Sequence, residues 1–195
     1  MHLTEAVLGP LREHYGEPRP LRWEGEVSAE EFALAGSSPE RRHDVTFFVF
    51  DPGGRLALIQ KPSYPEGAWR PPGGGVRPDE RFEAGVQREG LEELGIHIEL
   101  ERFLVSSEAT FRCAGAVIDW RTLVFSARTE EEELAPIDTH EISAARWGTS
   151  DELAGPIRAC LLETGRALWR YRVELHDEAL VALCHGPGTV PGPRP

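Results

Sequence analysis

The sequence predicts an α/β domain in which helices pack on a mixed β-sheet. Two apolar runs, residues 45–50 and 55–61, flank the turn DPGG and have the β-branched and alternating composition of a β-hairpin. A segment with helical periodicity follows and ends at Gly95. Further strand-like and then helix-like segments come after it. Strands, a helix, strands and helices in this order are typical of a sheet with helices packed on it.

Residues 1–42 are predicted to form an N-terminal extension. A short helix is expected near its start, interrupted at Pro10, because proline lacks the N–H that a helix interior needs. Ser28 followed three residues later by Glu31 fits a capping box, which predicts a second short helix. Residues 36–42, which are rich in Gly, Ser, Pro and Arg, are predicted to be a linker.

The main domain is predicted to span residues 43–184. Its central helix should begin between residues 79 and 82 and stop at Gly95, since glycine is common just past helix ends. The later elements are expected as a strand at 96–105, one strand or two at 116–128, an acidic loop at 129–141 and a short strand at 142–148. A helix from Thr149 to about residue 164 and a helix at 167–184 should follow. Residues 185–195, dominated by Gly and Pro, are predicted to be a disordered tail.

The composition limits the class of partner and the compartment. The 195 residues carry a formal net charge of −12, which argues against an extended nucleic-acid or anionic-membrane surface. No segment approaches the roughly 20 apolar residues of a membrane span, and the N-terminus lacks a signal-peptide pattern. Three widely spaced cysteines without CxxC spacing indicate reduced thiols. We therefore expect a cytoplasmic protein.

Three glutamates near the end of the central helix point to a cation site. Glu89, Glu92 and Glu93 lie at i, i+3 and i+4, which places their side chains on one helix face. Like charges at this spacing destabilise a helix. A hard divalent cation such as Mg²⁺, which prefers oxygen ligands, would remove that repulsion. The glycine-rich segment PPGGG at 71–75 lies just upstream.

With its flanks, this segment resembles the Nudix box, whose pattern is Gly-x5-Glu-x7-Arg-Glu-U-x-Glu-Glu-x-Gly-U, with U an aliphatic residue. The matching positions, from Gly74 to Ile96, are Gly74, Glu80, Arg88, Glu89, Glu92, Glu93, Gly95 and Ile96. Gly90 departs from the pattern, which has an aliphatic residue there, and we expect it to weaken local packing and helix propensity.

The resemblance implies a Nudix-type α/β/α sandwich and Mg²⁺- or Mn²⁺-dependent hydrolysis of a nucleoside diphosphate linked to another moiety. Water would attack phosphorus and cleave a P–O–P bond. By the same resemblance, the metal ligands are Glu89, Glu92, Glu93 and the backbone carbonyl of Gly73. Glu89, Glu93 and Arg88 are the expected catalytic residues, with Arg88 orienting a carboxylate and Glu80 able to join its network.

The general base is left open by the sequence. Within the family it is either the glutamate that matches Glu89 or a residue on a loop outside the box. The acidic residues 130–133 and Glu141 are the loop candidates here. A base must reach the attacking water at hydrogen-bonding distance.

The expected substrate is a small nucleotide or nucleotide-sugar-like molecule. Nucleoside triphosphates, dinucleoside polyphosphates, ADP-ribose, NADH and coenzyme A all remain open, and a homodimer is expected by analogy with the family. The alternatives are a noncatalytic sensor of a nucleotide metabolite on the same fold and a prenyl-diphosphate isomerase. Three aromatic residues are expected in the core rather than in contact with a ligand, namely Trp69, Phe111 and Trp120. Three cationic residues are expected at the surface, namely Lys61, Arg70 and Arg112.

Overall fold

A computed structural model describes residues 4–37, 42–77 and 80–185. Its elements in chain order are α1 (Glu5–Tyr15), β1 (Arg19–Glu26), α2 (Ala29–Gly36), β2 (His43–Phe50), β3 (Leu56–Gln60), α3 (Phe82–Leu94), β4 (Glu99–Cys113), β5 (Ala116–Arg128), β6 (Ala144–Gly148), α4 (Ser150–Glu152), a π-helical turn (Leu153–Ile157), α5 (Arg158–Glu163) and α6 (Ala167–Cys184). The predicted tail from residue 186 onward and most of the predicted linker lie outside the described residues.

The six strands form one mixed sheet in the order β1-β4-β5-β2-β3-β6. β1 pairs with β4 in parallel and β5 pairs with β2 in parallel, while the other three pairings are antiparallel. β4 and β5 form a long hairpin whose two turn residues, Ala114 and Gly115, both have positive φ. That conformation is the turn geometry that matches the twist of paired strands.

Helices cover both faces of the sheet because alternate strand residues supply two separate apolar cores. One core joins the inward side of α1 and α3 to one sheet face, with Leu8, Val86 and Phe47 among its buried members. The other joins α6 and the π-helical turn to the opposite face, with Tyr171 and Phe48 among its members. The adjacent residues Phe47 and Phe48 therefore point into different cores, as a strand's period of two requires. The result is the predicted α/β/α sandwich.

The N-terminal segment differs from its prediction in two respects. α1 runs through Pro10 without interruption. Burial of Leu8 and Leu11 against the sheet outweighs the single hydrogen bond that the proline removes. Residues 19–26 form an edge strand where no strand was predicted, because their alternating charges conceal the buried Trp23.

Several local predictions are confirmed. Ser28 and Thr149 each form a complete capping box with the glutamate three residues on. α3 ends at Gly95, whose φ of 74° is left-handed. Residues 129–141 form a loop, and α6 occupies the predicted range. The helix predicted from Thr149 contains a π-helical turn around Pro156, where a proline removes one helical hydrogen bond.

The expected packing defect at Gly90 is not observed. A Cβ at this position would lie 3.1 Å from Cγ1 of Ile98 and 3.2 Å from the carbonyl oxygen of Ile96. The Ile98 side chain thus fills the space that an aliphatic residue would occupy, and the cost in helix propensity remains. Within the described parts of the chain, no helix combines the length and hydropathy needed to cross a bilayer.

Candidate active site

The outer face of α3 carries the predicted carboxylates because its inner face is buried. Phe82, Val86 and Leu94 pack into the core, which directs Glu89 and Glu92 toward the cleft beside the glycine-rich segment 71–75. Leu94 is fully buried, and Gly95 stops the helix one residue later. The periodicity of α3 therefore fixes which residues can face a ligand.

A close contact between α3 and the glycine segment requires Gly73 and Gly74. Gly73 has a φ of 150°, and a Cβ there would lie 2.1 Å from the carbonyl oxygen of Val45. A Cβ on Gly74 would lie 2.3 Å from Oε2 of Glu89. The Gly73 amide donates to Oε2 of Glu93 at 2.5 Å. The segment is also held by β2, since the Val45 amide donates to the carbonyl of Gly74 at 2.8 Å.

Arg88 lies among three carboxylates. Its Nη1 donates to Oε1 of Glu89 at 2.8 Å and to Oε2 of Glu92 at 2.9 Å. Its Nη2 donates to Oε1 of Glu80 at 2.6 Å and to the carbonyl of Gly75 at 2.9 Å. The hydrogen bond from Arg88 lowers the pKa of Glu80. Arg88 thus holds Glu80, Glu89 and Glu92 together through its guanidinium.

Glu93 lies against two cations that the sequence had assigned to the surface. Arg70 is only 4% exposed, and its Nη2 lies 3.3 Å from Oε1 of Glu93. Arg70 also donates to the hydroxyl of Tyr64 and to the carbonyls of Pro71 and Gly73. The expectation of a surface charge at Arg70 is therefore wrong, because these acceptors on one loop satisfy a buried guanidinium.

Lys61 is the second cation, and it connects two acidic residues. Its Nζ lies 2.7 Å from Oε2 of Glu141 and 3.6 Å from Oε1 of Glu93. Glu141 lines the cleft, whereas residues 130–133 do not. Glu131 instead accepts the backbone N–H of His97 at 2.8 Å. Of the loop candidates for the base, the structure brings Glu141 to the site.

The donor set suits a hard divalent cation. Burial raises the pKa of Glu89, and the negative charges of Glu93 and Glu92 raise it further, although Arg88 opposes them. A divalent cation would relieve that repulsion, and carboxylate and carbonyl oxygens are its preferred ligands. In this structure the carboxylates are arranged around Arg88 and Arg70. No three acidic, His or Cys side chains of residues 4–37, 42–77 and 80–185 converge at metal-binding spacing.

A cleft of about 970 Å³ opens above these carboxylates. Its lining combines the acidic cluster with cations, among them Lys61 and Arg77, and with apolar side chains, among them Leu34 and Trp120. Its volume falls in the range of pockets that bury ligands the size of a nucleotide.

The aromatic candidates occupy different environments. Trp69 packs beneath the guanidinium of Arg146, 4.7 Å from its ring centroid. Phe111 packs edge-on against Trp23 and also borders the cleft. Trp120 lines the cleft, and its Nε1 donates to Oδ1 of Asp44 at 3.2 Å.

Some cleft residues were not identified from the sequence. Asp44, Leu168, Tyr171 and Arg172 all line the cleft, and three of them belong to α6. The amphipathic pattern of α6 predicted a helix, but no local motif marked it as part of a site.

A family model described as NUDIX domain matches residues 40–167. A solved structure titled UDP-X diphosphatase aligns with a TM-score of 0.52 at 15% identity, covering 83% of this chain and 74% of that chain. The structure of an Ap4A hydrolase from C. elegans aligns with a TM-score of 0.48 at 17% identity, covering 73% of this chain and 97% of that chain. The structure of a MutT protein from Bacillus halodurans aligns with a TM-score of 0.42 at 24% identity, covering 57% of this chain and 71% of that chain. The alignment with the UDP-X diphosphatase structure shows that the two chains share a fold. No curated protein matches the sequence significantly.

Proposed function

The chain belongs to the Nudix family of pyrophosphohydrolases, and on that premise we propose that it hydrolyses the pyrophosphate bond of a nucleoside diphosphate linked to another moiety. The proposed cofactor is Mg²⁺ or Mn²⁺, held by Glu89, Glu92, Glu93 and the carbonyl of Gly73. The observation that carries this proposal is the contact between the α3 carboxylates and the glycine-rich segment 71–75, here called the glycine bend, at the base of a nucleotide-sized cleft.

The proposed reaction is attack of water on one phosphorus and release of the other phosphate as the leaving group. A bound divalent cation supplies charge neutralisation, orientation of substrate and water, and a lower pKa for that water. Phosphoryl transfer of this kind depends mainly on positioning and charge stabilisation. The protein contributes both, because Arg88 fixes Glu89 and Glu92, while Gly73 and Arg70 fix Glu93.

Two carboxylates are candidates to accept the proton of the attacking water. Glu89 lines the cleft, and its Oε1 accepts a hydrogen bond from Arg88 at 2.8 Å. Glu141 lines the cleft with its Oε2 beside Lys61. Of the candidates outside the box, the position of Glu141 favours it over residues 130–133.

We also propose a cytoplasmic location and a homodimer. The location is supported by the three cysteines, which are unpaired thiols in this structure, as expected for a reducing compartment. The dimer is proposed from family analogy alone.

A substrate panel tests the proposed activity. The protein is incubated with Mg²⁺ or Mn²⁺ and with nucleoside triphosphates, a UDP-sugar, Ap4A, ADP-ribose, NADH and coenzyme A. Mass spectrometry of products formed in ¹⁸O-water identifies the phosphorus that is attacked. We expect turnover that chelation abolishes and that E93Q reduces by about 10²- to 10³-fold, the loss typical of removing one key charge-stabilising group.

The matched control is E131Q, because Glu131 is acidic but lies at His97 outside the cleft. This variant should keep wild-type activity. Binding of a panel member without hydrolysis would instead support the noncatalytic sensor. Equal activity in E93Q and wild type would contradict the assignment of the α3 carboxylates.

A further inference from the structure

The C-terminal helix α6 forms one wall of the cleft although it lies beyond the family match. The match ends at residue 167, and α6 begins there. Leu168, Tyr171 and Arg172, all on the first turns of α6, line the same cleft as the α3 carboxylates. The site is therefore completed by a segment that the family pattern does not describe.

Arg172 has hydrogen-bonding capacity left over in this wall. Its Nη1 donates to Oγ1 of Thr46 at 3.1 Å, and its Nη2 donates to Oδ2 of Asp44 at 3.4 Å. A guanidinium carries five N–H donors, so three have no partner among the described residues. Its side chain is 19% exposed, which keeps it accessible from the cleft.

Asp44 holds Arg172 but does not saturate it. Oδ1 of Asp44 already accepts hydrogen bonds from Trp120 and from Thr122. The contact of Arg172 with the other oxygen is long, at 3.4 Å. Asp44 and Thr46 thus hold the guanidinium through one N–H of each Nη atom and leave the other N–H groups for a ligand.

The location of Arg172 suits a phosphate. Thr46, its neighbour, is also the neighbour of the glycine bend, because a Cβ on Gly73 would lie 2.8 Å from the Cα of Thr46. Arg70 and Arg172 both line the cleft that holds the α3 carboxylates. Arginine binds phosphate oxygens through two parallel N–H groups.

The flanking elements hold α6 rigidly enough to position such a contact. Oε1 of Glu31, on α2, accepts the backbone N–H of Leu168 at 2.9 Å. Trp23 of β1 donates to Glu174 at 3.0 Å. The hydroxyl of Tyr171 is buried and donates to Oγ1 of Thr122 at 2.8 Å. These contacts tie the first three turns of α6 to the N-terminal segment and to the sheet.

We propose that Arg172 binds a phosphate oxygen of the substrate's diphosphate, and that α6 thereby supplies a substrate-binding residue from outside the segment that the family model matches. This inference rests on the proposed function, since it assumes a diphosphate ligand in the cleft. Asp44 is the positioning residue that orients Arg172.

The test is equilibrium binding of α,β-methylene-ADP, a nonhydrolysable diphosphate, to the full chain with Mg²⁺ by calorimetry. R172M should raise the Kd by about 10- to 100-fold, the loss of one charge-assisted contact. R172K should fall between R172M and wild type, because lysine keeps the charge but loses the fork. D44N should weaken binding less than R172M. R170M is the matched control, because Arg170 is exposed on the same helix, and it should leave the Kd within about twofold.

Two further readouts separate binding from folding. The Kd of adenosine, which has no phosphate, should be the same in R172M and wild type. For the substrate found by the panel, R172M should raise KM with little change in kcat, since the contact is present before and during the reaction. If R172M lowered the melting temperature but left the Kd of α,β-methylene-ADP unchanged, Arg172 would be only a structural partner of Asp44 and the inference would be overturned.

Failure of this inference is distinguishable from failure of the proposed function. A wild-type protein that hydrolyses panel members while R172M binds α,β-methylene-ADP equally well would overturn only the role of Arg172. A wild-type protein that neither binds α,β-methylene-ADP or its uridine counterpart nor hydrolyses any panel member would overturn both.

Discussion

Replacing Arg70 with methionine should destabilise the protein strongly, although this residue sits on a loop. Arg70 and Glu93 are each only 4% exposed, so R70M removes the cation beside a buried carboxylate. Breaking a buried ion pair in this way typically costs about 3–5 kcal/mol. Two contacts remain for Glu93, the Gly73 amide at 2.5 Å and Lys61 at 3.6 Å, which places the expected loss at the lower end, about 3 kcal/mol.

The assay is urea denaturation followed by circular dichroism, with chelator present so that bound cations do not contribute. In a thermal denaturation, a loss of about 3 kcal/mol in the free energy of unfolding would appear as a fall in melting temperature of roughly 6–12 °C for a chain of this size. The control is R77M, because Arg77 is exposed and lies 3.7 Å from Glu92, and it should cost about 0.5 kcal/mol or less.

A double-mutant cycle tests the reasoning itself. Because Arg70 and Glu93 are in direct contact, R70M and E93Q should be non-additive, with a coupling energy of about 1.5 kcal/mol or more. A loss below about 1 kcal/mol in R70M, or additive effects in the double variant, would refute the claim that this buried ion pair stabilises the protein.

Three other predictions follow from separate features. G95A should cost about 2–3 kcal/mol in urea denaturation, because its Cβ would meet the carbonyl oxygen of Ala135 at 2.0 Å in a left-handed backbone. E31Q should lower stability at pH 7 by about 1 kcal/mol, through weakened hydrogen bonds to α6 and α2. Burial alone raises the pKa of Glu31, but hydrogen bonds from backbone amides lower it overall, below the ordinary value of 4.5. The difference in free energy of unfolding between E31Q and wild type should therefore shrink as the pH falls below 4.5, because Glu31 then becomes protonated in both the unfolded and the folded chain. E141Q should reduce kcat by about 10²-fold or more if Glu141 is the base, whereas E131Q should not.

Each of these has a matched comparison. For G95A the comparison is G115A. Gly115 also has a positive φ, but a Cβ there would have nothing within 4 Å, so G115A should lower the free energy of unfolding only by the backbone strain, about 1 kcal/mol. E30Q changes an exposed glutamate one residue from Glu31 and should show no pH-dependent difference. A pH-independent gap between E31Q and wild type would contradict the role of the Glu31 charge. An unchanged kcat in E141Q would leave Glu89 as the base.

The part of the site that could be predicted from sequence is the part encoded locally. Glu89, Glu92 and Glu93 share a face because helical periodicity places them there, and the stop at Gly95 follows from its tolerance of left-handed backbone. The capping glutamates at residues 31 and 152 were likewise recognisable from short spacing.

Features that depend on distant partners were not predictable. Arg70 reads as a surface charge until the fold places Tyr64 and Glu93 around it. Arg172 meets Asp44 only because a helix near the end of the chain packs across β2, 128 positions away in sequence. Such pairings are set by tertiary structure and have no local sequence pattern.

The strand β1 shows the same limit from another side. Its charged residues alternate with the buried Trp23, and those charges pair across the sheet, as Glu24 does with Arg112 at 2.6 Å. Without the partner strand, the segment resembles a solvated loop. Hydrophobic periodicity is too weak a signal when only one residue of an edge strand is buried.

The parallel pairing of β1 with β4 has a consequence for how the chain is made. Arg19 aligns with Val105, so during translation β1 must wait for the long hairpin before it has a hydrogen-bonding partner. The face of this hairpin near Trp23 is then covered by α6, which is synthesised later still. A nascent chain stalled after residue 167 would hold the whole family segment yet expose apolar surface around Phe111 and Leu104 on the ribosome. Vectorial synthesis therefore leaves this half of the molecule dependent on α6.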